Sequence, residues 1–304
     1  MQGRESETAP KFGLVKYEMN QQIKVIPWIA DLDKIKILDT IKQLSSLQTR
    51  FHQSASGFKA SQLIYDNWTE LAGNRSDVKV EFISHSSTKQ NSVILTIEGN
   101  NPQEKDKVVV LGGHLDSIAG YWGGSSARAP GADDNASGIA VLTEVIRVLI
   151  NRDYRPEKTL QFIGYAAEEV GLWGSKEIAQ KYKQQQKSVY GVLQLDMTNY
   201  KNGATDIGLI SDYTNADLNQ FLANLIDTYV HVPWQYTRCG YACSDHASWT
   251  TQGFPAAFPF EALKDNMNPN IHTSGDVLEV SRSNADHAHI FSKLALSFAI
   301  ELAK

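Results

Sequence analysis

Apolar residues recur at Ile29, Leu32, Ile35, Leu38, Ile41, Leu44 and Leu47, with Ile37 widening the stripe. That spacing predicts an amphipathic helix over 29–49, and a second helix follows over about 61–72. Two segments, 78–83 and 92–97, alternate well enough to predict an antiparallel pair half facing solvent. The unbroken run Val108-Val109-Val110-Leu111 predicts a strand over 107–114 buried on both faces. A helix with the stripe Ile139, Leu142, Ile146 and Leu149 comes next. Further units are a strand at 159–167, a helix at 171–186, a strand at 189–195 and a short strand at 207–210. Helices at 215–230 and 245–252, a strand at 256–260 and a helix at 283–302 complete the chain. Strands alternating with helices predict an α/β fold, a three-layer sandwich with a mainly parallel central β-sheet flanked by helices. No internal repeat or linker interrupts it, so 27–304 reads as a single domain. Residues 1–26 read as an extension, expected to be loosely ordered.

Composition narrows the classes. The 304 residues carry a net charge of -5 without a long basic run, which argues against nucleic acid as a partner. No apolar stretch reaches the roughly 18–20 residues of a membrane span. The polar N-terminus has no signal-peptide core, and is read as the start of a trimmed mature chain or as an artificial start. A monomer is the default expectation. The cysteines, Cys239 and Cys243, stand in Cys-Gly-Tyr-Ala-Cys. That spacing is compatible with a disulfide across a tight loop, with a metal pair and with two free thiols. The disulfide is favoured, and with it an oxidising compartment, secreted or periplasmic. The sequons at Asn67 and Asn74 are read as incidental.

The chemistry-bearing residues gather at strand ends. His114 and Asp116 follow the strand at 107–114, Glu168 and Glu169 follow the next, and Asp196 follows the third. Asp134 lies in the loop before a helix, and His272 follows the last strand. Open α/β sheets bind ligands outside the carboxyl ends of their strands. Imidazoles and carboxylates without thiolate suit zinc, cobalt or manganese. Two histidines and three carboxylates exceed the three protein ligands of one catalytic zinc. They suit two ions sharing a bridging carboxylate, which leaves one glutamate free as a general base.

Six motifs in order strengthen this. They are Gly-Gly-His114-Leu-Asp116-Ser, Gly-Ala-Asp-Asp134-Asn-Ala-Ser-Gly, Ala-Ala-Glu168-Glu169-Val-Gly-Leu, Leu-Asp196-Met-Thr-Asn-Tyr, Cys-Gly-Tyr-Ala-Cys-Ser-Asp-His-Ala-Ser-Trp and Ile-His272-Thr. Together they resemble metallopeptidase family 28, and within it the secreted leucyl aminopeptidases of bacteria, from about residue 27 onward. The resemblance implies an aminopeptidase fold holding two Zn2+, with Co2+ or Mn2+ as substitutes. It implies that Asp134 bridges both ions, that Glu169 and His272 complete one, and that His114 and Asp196 complete the other. Glu168 is implied as the general base that takes the proton from the metal-bound water, leaving a metal-bridged hydroxide, and passes it to the leaving amine. Asp116 is implied as the carboxylate orienting His114, and Tyr241 as the oxyanion donor. Met197, Phe260 and Ile271 are implied to line a pocket for a large apolar first side chain. The substrates implied are peptides with a free N-terminus.

Other readings stand beside this one. A glutaminyl cyclase of the same fold works with one zinc and would not need both His114 and Asp196. A dinuclear dipeptidase or carboxypeptidase needs a cation for the substrate carboxylate, and none of the six motifs contains an arginine. A non-catalytic binding protein on this scaffold would be expected to lose ligands. Asp133 is read as a local hydrogen-bond partner, and His287 and His289 as surface residues. His246 is read as either an outer support of the site or a helix-start residue. Lys264, after Phe260-Glu261, departs from the leucyl pattern and can open or polarise the pocket rim.

Overall fold

The computed structural model describes residues 16–120 and 123–304. Its helices are α1 (Gln22–Ile29), α2 (Lys34–Ser45), α3 (Ala55–Ala72), α4 (Ala136–Asn151), α5 (Trp173–Gln184), α6 (Ala216–Leu225), α7 (His246–Thr251) and α8 (Asp286–Leu302). A sheet in the order β1-β2-β4-β3-β5-β8 runs through the middle. Its strands are β1 (Val78–Ile83), β2 (Ser92–Ile97), β4 (Thr159–Tyr165), β3 (Lys107–His114), β5 (Ser188–Gln194) and β8 (Ala256–Ala257). β4, β3, β5 and β8 are parallel, while β1 and β2 form the antiparallel edge.

The period of two in β3 explains the layers. Val109 and Leu111 face the larger core with α2, α3, α4, α6 and α8. Val108 and Val110 face the opposite core, built with Ile178 and Tyr182 of α5 and Trp249 of α7. Both faces are therefore covered, as a parallel sheet requires. The buried tryptophans keep their N–H groups bonded. Trp68 donates to Thr143 Oγ1 at 3.0 Å, and Trp249 to the Tyr165 hydroxyl at 2.8 Å.

Several expectations are corrected. The helix expected over 29–49 is shorter, α2 alone, with α1 ending at Ile29 and Asp33 capping α2 by accepting from the Ile35 N–H. A spacing of three, at about 100° per residue, drifts by about 60° each step, so those apolar residues cannot share one face. Accordingly Ile35 is 54% exposed while Ile41 and Leu44 are buried. α3 begins earlier than expected because Ser54 caps it. The strand expected at 256–260 is split. β8 joins the central sheet, and β9 (Pro259–Phe260) joins a second sheet with β6 (Ile207–Ile210) and β7 (Trp234–Thr237). The sequence reading did not anticipate β7 or this sheet.

The expectation of a loose N-terminal extension falls partly on 1–15, outside the described residues. From 16 on it does not hold. Tyr17 donates to the Tyr190 carbonyl at 3.1 Å, and the Asn20 and Gln21 amides donate to the buried Glu301 carboxylate. Among the described residues no helix is long and apolar enough to cross a membrane.

Candidate metal centre

Register brings the ends of β3 and β4 level, with His114 beside Tyr165. β5 runs parallel on the other side of β3, so Glu168, Glu169 and Asp196 all emerge beside His114. The two glycines before His114 allow this packing. A Cβ on Gly112 would lie 2.3 Å from the Tyr165 ring, and one on Gly113 2.7 Å from the Leu195 carbonyl. Asn135 caps α4 through the Gly138 N–H, accepts from the Met197 N–H at 3.2 Å and donates to the Leu195 carbonyl at 2.8 Å. One side chain thus ties the Asp134 loop to the Asp196 loop. Ala167, Met197 and His272 adopt left-handed backbone, with φ of 56°, 58° and 55°. Such conformations persist where surrounding structure over-determines them.

The geometry centres on Asp134. Its Oδ1 lies 3.1 Å from His114 Nε2, which is also 3.2 Å from Asp196 Oδ1. Its Oδ2 lies 3.1 Å from His272 Nε2, which is 2.8 Å from Glu169 Oε2. Two groups of possible ligand atoms result, His114–Asp134–Asp196 and Asp134–Glu169–His272, each within 4.8 Å. A tetrahedral ion with bonds near 2.0–2.2 Å would hold its ligand atoms about 3.3 Å apart, so the spacing fits. Glu169 Oε1 is buried without a hydrogen-bond partner, which a cation would relieve. Burial alone would lower His272, yet its bonds to Asp134 and Glu169 raise it to about 11. Burial and Asp134 push Glu169 up to about 8. Both shifts mark an excess of carboxylate, and divalent cations are the species that balance it.

The supporting shell holds atoms that the sequence reading missed. Ser244 Oγ donates to Asp196 Oδ2 at 2.6 Å. The Asp276 carboxylate accepts the amides of Asp133 and Asp134, at 3.2 and 3.0 Å. Four successive amides at the end of β4 are each held by a side chain. Ala166 N donates to Ser92 Oγ at 2.9 Å and Ala167 N to Gln90 Oε1 at 3.2 Å. Glu168 N and Glu169 N donate to the two oxygens of Asp116, at 2.9 and 3.1 Å. Asp116 also lies 3.5 Å from His114 Nδ1, whose nearer partner is the Asp116 carbonyl at 3.2 Å. His85 completes the Ser92 support, 2.7 Å from Ser92 Oγ and 2.8 Å from Glu177 Oε2.

Arg50 was missed for a different reason, because it lies far from every motif in the chain. It is buried, and its guanidinium donates to the carbonyls of Leu115, Pro130 and Gly131. Its donors are therefore spent on backbone. Asp245 and the Ser244 hydroxyl accept from Gln194 Nε2, and both residues stand in the quoted cysteine motif.

A cavity of about 230 Å³ opens over the cluster, lined by Glu168, Glu169, Asp134, Asp196 and His272. Met197, Phe260, Ile271, Tyr241 and Lys264 also line it, with the Cys239–Cys243 disulfide. Tyr241 is 57% exposed. His114 and Asp116 lie beneath. Burial raises Glu168 well above the ordinary carboxylate range, as do Asp245, Glu169 and Asp196, against the pull of His114. Asp133 accepts from the Asn199 amide and Asn268 Nδ2. His287 is not a surface residue. It is buried, its Nε2–H donates to the Glu261 carbonyl at 2.9 Å, and it packs on Phe291. His246 is fully buried against Phe258, and neither ring nitrogen is hydrogen-bonded.

A model of peptidase family M28 matches residues 92–298. Leucine aminopeptidase 1 of Metarhizium robertsii is 39% identical over 285 residues, which are 90% of this chain and 70% of that protein. The crystal structure of the LapA aminopeptidase of Legionella pneumophila superposes with a TM-score of 0.87 at 35% identity, covering 96% of this chain and 77% of that one. A glutaminyl cyclase of Bacteroides thetaiotaomicron superposes with a TM-score of 0.68 at 14% identity, over 90% of this chain and 97% of that one. That last likeness shows shared fold alone.

Proposed function

The chain belongs to peptidase family M28, and on that premise we propose that it is a dinuclear zinc aminopeptidase removing large apolar, leucine-like residues from peptides with a free N-terminus. The observation that carries this reading is the split use of Asp134, whose two oxygens face different imidazole–carboxylate pairs beneath one cavity. His114 and Asp196 would hold one ion, Glu169 and His272 the other, and Asp134 both. Co2+ or Mn2+ are plausible substitutes for zinc with these donors. When bound, such ions supply Lewis-acid polarisation of the scissile carbonyl and lower the pKa of water.

The chain's own residues supply the rest. Glu168 takes a proton from the attacking water and returns it to the leaving amine, a role that its raised proton affinity suits. Asp116 fixes the backbone of Glu168 and Glu169 together, so base and ligand keep one spacing. Tyr241 stands on the cavity wall where its hydroxyl can donate to a developing oxyanion. The carboxylates of the floor receive the substrate's free α-amine. Met197, Phe260 and Ile271 receive the first side chain. A blocked amine loses the polar end of this recognition, hence exopeptidase action. The disulfide favours a secreted or periplasmic setting. Residues 27–304 act as one catalytic domain and the chain works as a monomer.

The test uses leucine p-nitroanilide, its N-acetyl derivative and an N-terminal glutaminyl peptide, with metal counted per chain. Hydrolysis of the free amine only, with two ions bound, is expected. Faster cleavage of the blocked substrate would sink the aminopeptidase reading, and cyclisation with one ion would favour a glutaminyl cyclase. Glu168→Gln is expected to keep both ions and lower kcat by about 10²–10⁴-fold. Near-normal turnover would remove it as the base.

A further inference from the structure

We infer that Lys264 makes the first-residue pocket select by the polarity of the side-chain tip. It admits apolar stems that end in a hydrogen-bond acceptor, such as methionine, glutamine and glutamate, and it turns away lysine and arginine. This rests on the aminopeptidase reading and narrows its substrate class.

Lys264 lines the same cavity as Met197, Phe260 and Ile271 and as the carboxylates Asp134, Glu168, Glu169 and Asp196. Its Nζ lies 5.9 Å from the centroid of the Phe260 ring. Among the described residues no carboxylate oxygen comes within ion-pair distance of it. Its side-chain contact is the thioether of Met267, with Nζ 2.8 Å from Sδ. An ammonium has three donors, and a sulfur is a weak acceptor. The group therefore lines the cavity with unused donor capacity, beside the apolar ring of Phe260 and on a backbone fixed by the bond from its N–H to Thr237 Oγ1 at 3.1 Å. Burial lowers its proton affinity, and the floor carboxylates Asp196 and Asp134, with Asp265 and Glu261, act the other way.

The consequences follow from ordinary recognition physics. A second ammonium or a guanidinium brought to this wall of the cavity meets the like charge of Lys264. A purely apolar tip leaves the donors as they are. An acceptor tip takes the place of Met267, as a thioether or a stronger oxygen. Stems of three or four atoms suit a wall made of Met197, Phe260 and Ile271.

The test compares p-nitroanilides of norleucine, methionine, glutamine, glutamate, leucine and lysine on the metal-loaded enzyme, and on Lys264→Met and Lys264→Glu. Only ratios of kcat/KM within one preparation are read, so incomplete folding or metal loading cancels. Methionine and glutamine are expected to exceed lysine by at least about tenfold in the wild type. Lys264→Met should shrink the glutamine-to-norleucine and glutamine-to-lysine ratios by about tenfold. Lys264→Glu should put lysine above glutamine. Ratios that stay within about twofold in both variants, while leucine is still cleaved, overturn the role of Lys264 and leave the aminopeptidase reading standing. A wild type that cleaves none of these free-amine substrates overturns both.

Discussion

Replacing Arg50 with methionine tests how the two ligand loops are held together. The guanidinium is 1% exposed and donates to the carbonyls of Leu115, Pro130 and Gly131, the last two at the start of the turn carrying Asp134. Methionine has similar reach and no donor, so the Leu115 and Pro130 carbonyls lose their partner, while that of Gly131 still accepts from the Ala136 amide at 3.0 Å. Each orphaned group costs about 1–3 kcal/mol, or about 2–6 kcal/mol for the two. Removing a buried charge returns part of this, since burying Arg50 is itself unfavourable and lowers its pKa to about 10. A net loss of about 2–4 kcal/mol is expected, a large share of the roughly 5–15 kcal/mol that holds a domain folded. The charge adds a second signature. Asp276, Asp134, Asp116 and Glu169 all pull on Arg50 electrostatically, and bound cations compete for the same carboxylates. The loss should therefore be larger in chelator than in zinc. Urea unfolding of wild type, Arg50→Met and Arg50→Lys, each with and without zinc, measures both quantities. Lysine restores the charge but cannot span three carbonyls, so it should recover only part of the loss. A change below about 1 kcal/mol for Arg50→Met would refute the account.

Chelation should lower the unfolding midpoint, because ions bound at about 1,000 times their Kd add about 4 kcal/mol; calorimetry that finds no shift on zinc titration would count against a metal site. His246 is fully buried and burial lowers it to about 4. The unfolded chain then binds its proton first, so stability is complete above about pH 6.5 and falls towards pH 4 by about 3 kcal/mol. In His246→Phe that part of the pH dependence should vanish in urea titrations at pH 7.5, 6 and 5, and an unchanged slope would mean that His246 is not its source. Ser92→Ala removes the acceptor of the Ala166 amide and the partner of His85; kcat should fall while metal content stays at the wild-type value, and unchanged kcat would make the bond irrelevant to Glu168.

The strands that matter most were plain in the sequence because they are buried on both faces. β3 needs apolar residues at every position, so its run is continuous and its end, His114, stands out. Helix α4 carried both a cap and a stripe. The less legible parts have physical causes. β7 is a half-exposed strand whose Gln235 and Tyr236 face solvent, so it lacks a hydrophobic signature. β9, which reaches the sheet of β7 through β6, lies one residue beyond β8 yet in another sheet, and no pattern in five residues can announce that. His287 looked exposed because alternate positions on a helix point apart, but α8 is buried over much of its circumference. Arg50 is invisible for a related reason. Its partners are carbonyls 65 to 81 residues away, and a carbonyl leaves no mark in a sequence.

Those carbonyls belong to a wider device that explains why the site tolerates so many buried acids. Four carboxylates each accept two consecutive backbone amides. Asp116 takes those of Glu168 and Glu169, Asp276 those of Asp133 and Asp134, Asp212 those of Cys239 and Gly240, and Glu301 those of Asn20 and Gln21. A carboxylate gripping two successive amides fixes the peptide plane between them, and hence the direction in which the side chains leave. Three of the four grips sit under the proposed ligands, the proposed base and the disulfide loop with Tyr241. Asparagine in place of Asp116 or Asp276 would turn an NH2 towards one amide and break the grip. These acids are therefore not interchangeable with their amides even though they touch neither substrate nor ion. The acidity of the site is in this sense partly mechanical. Some carboxylates present charge to the cavity, others aim the first set, and Arg50 feels the pull of both, of Asp134 and Glu169 as well as of Asp116 and Asp276.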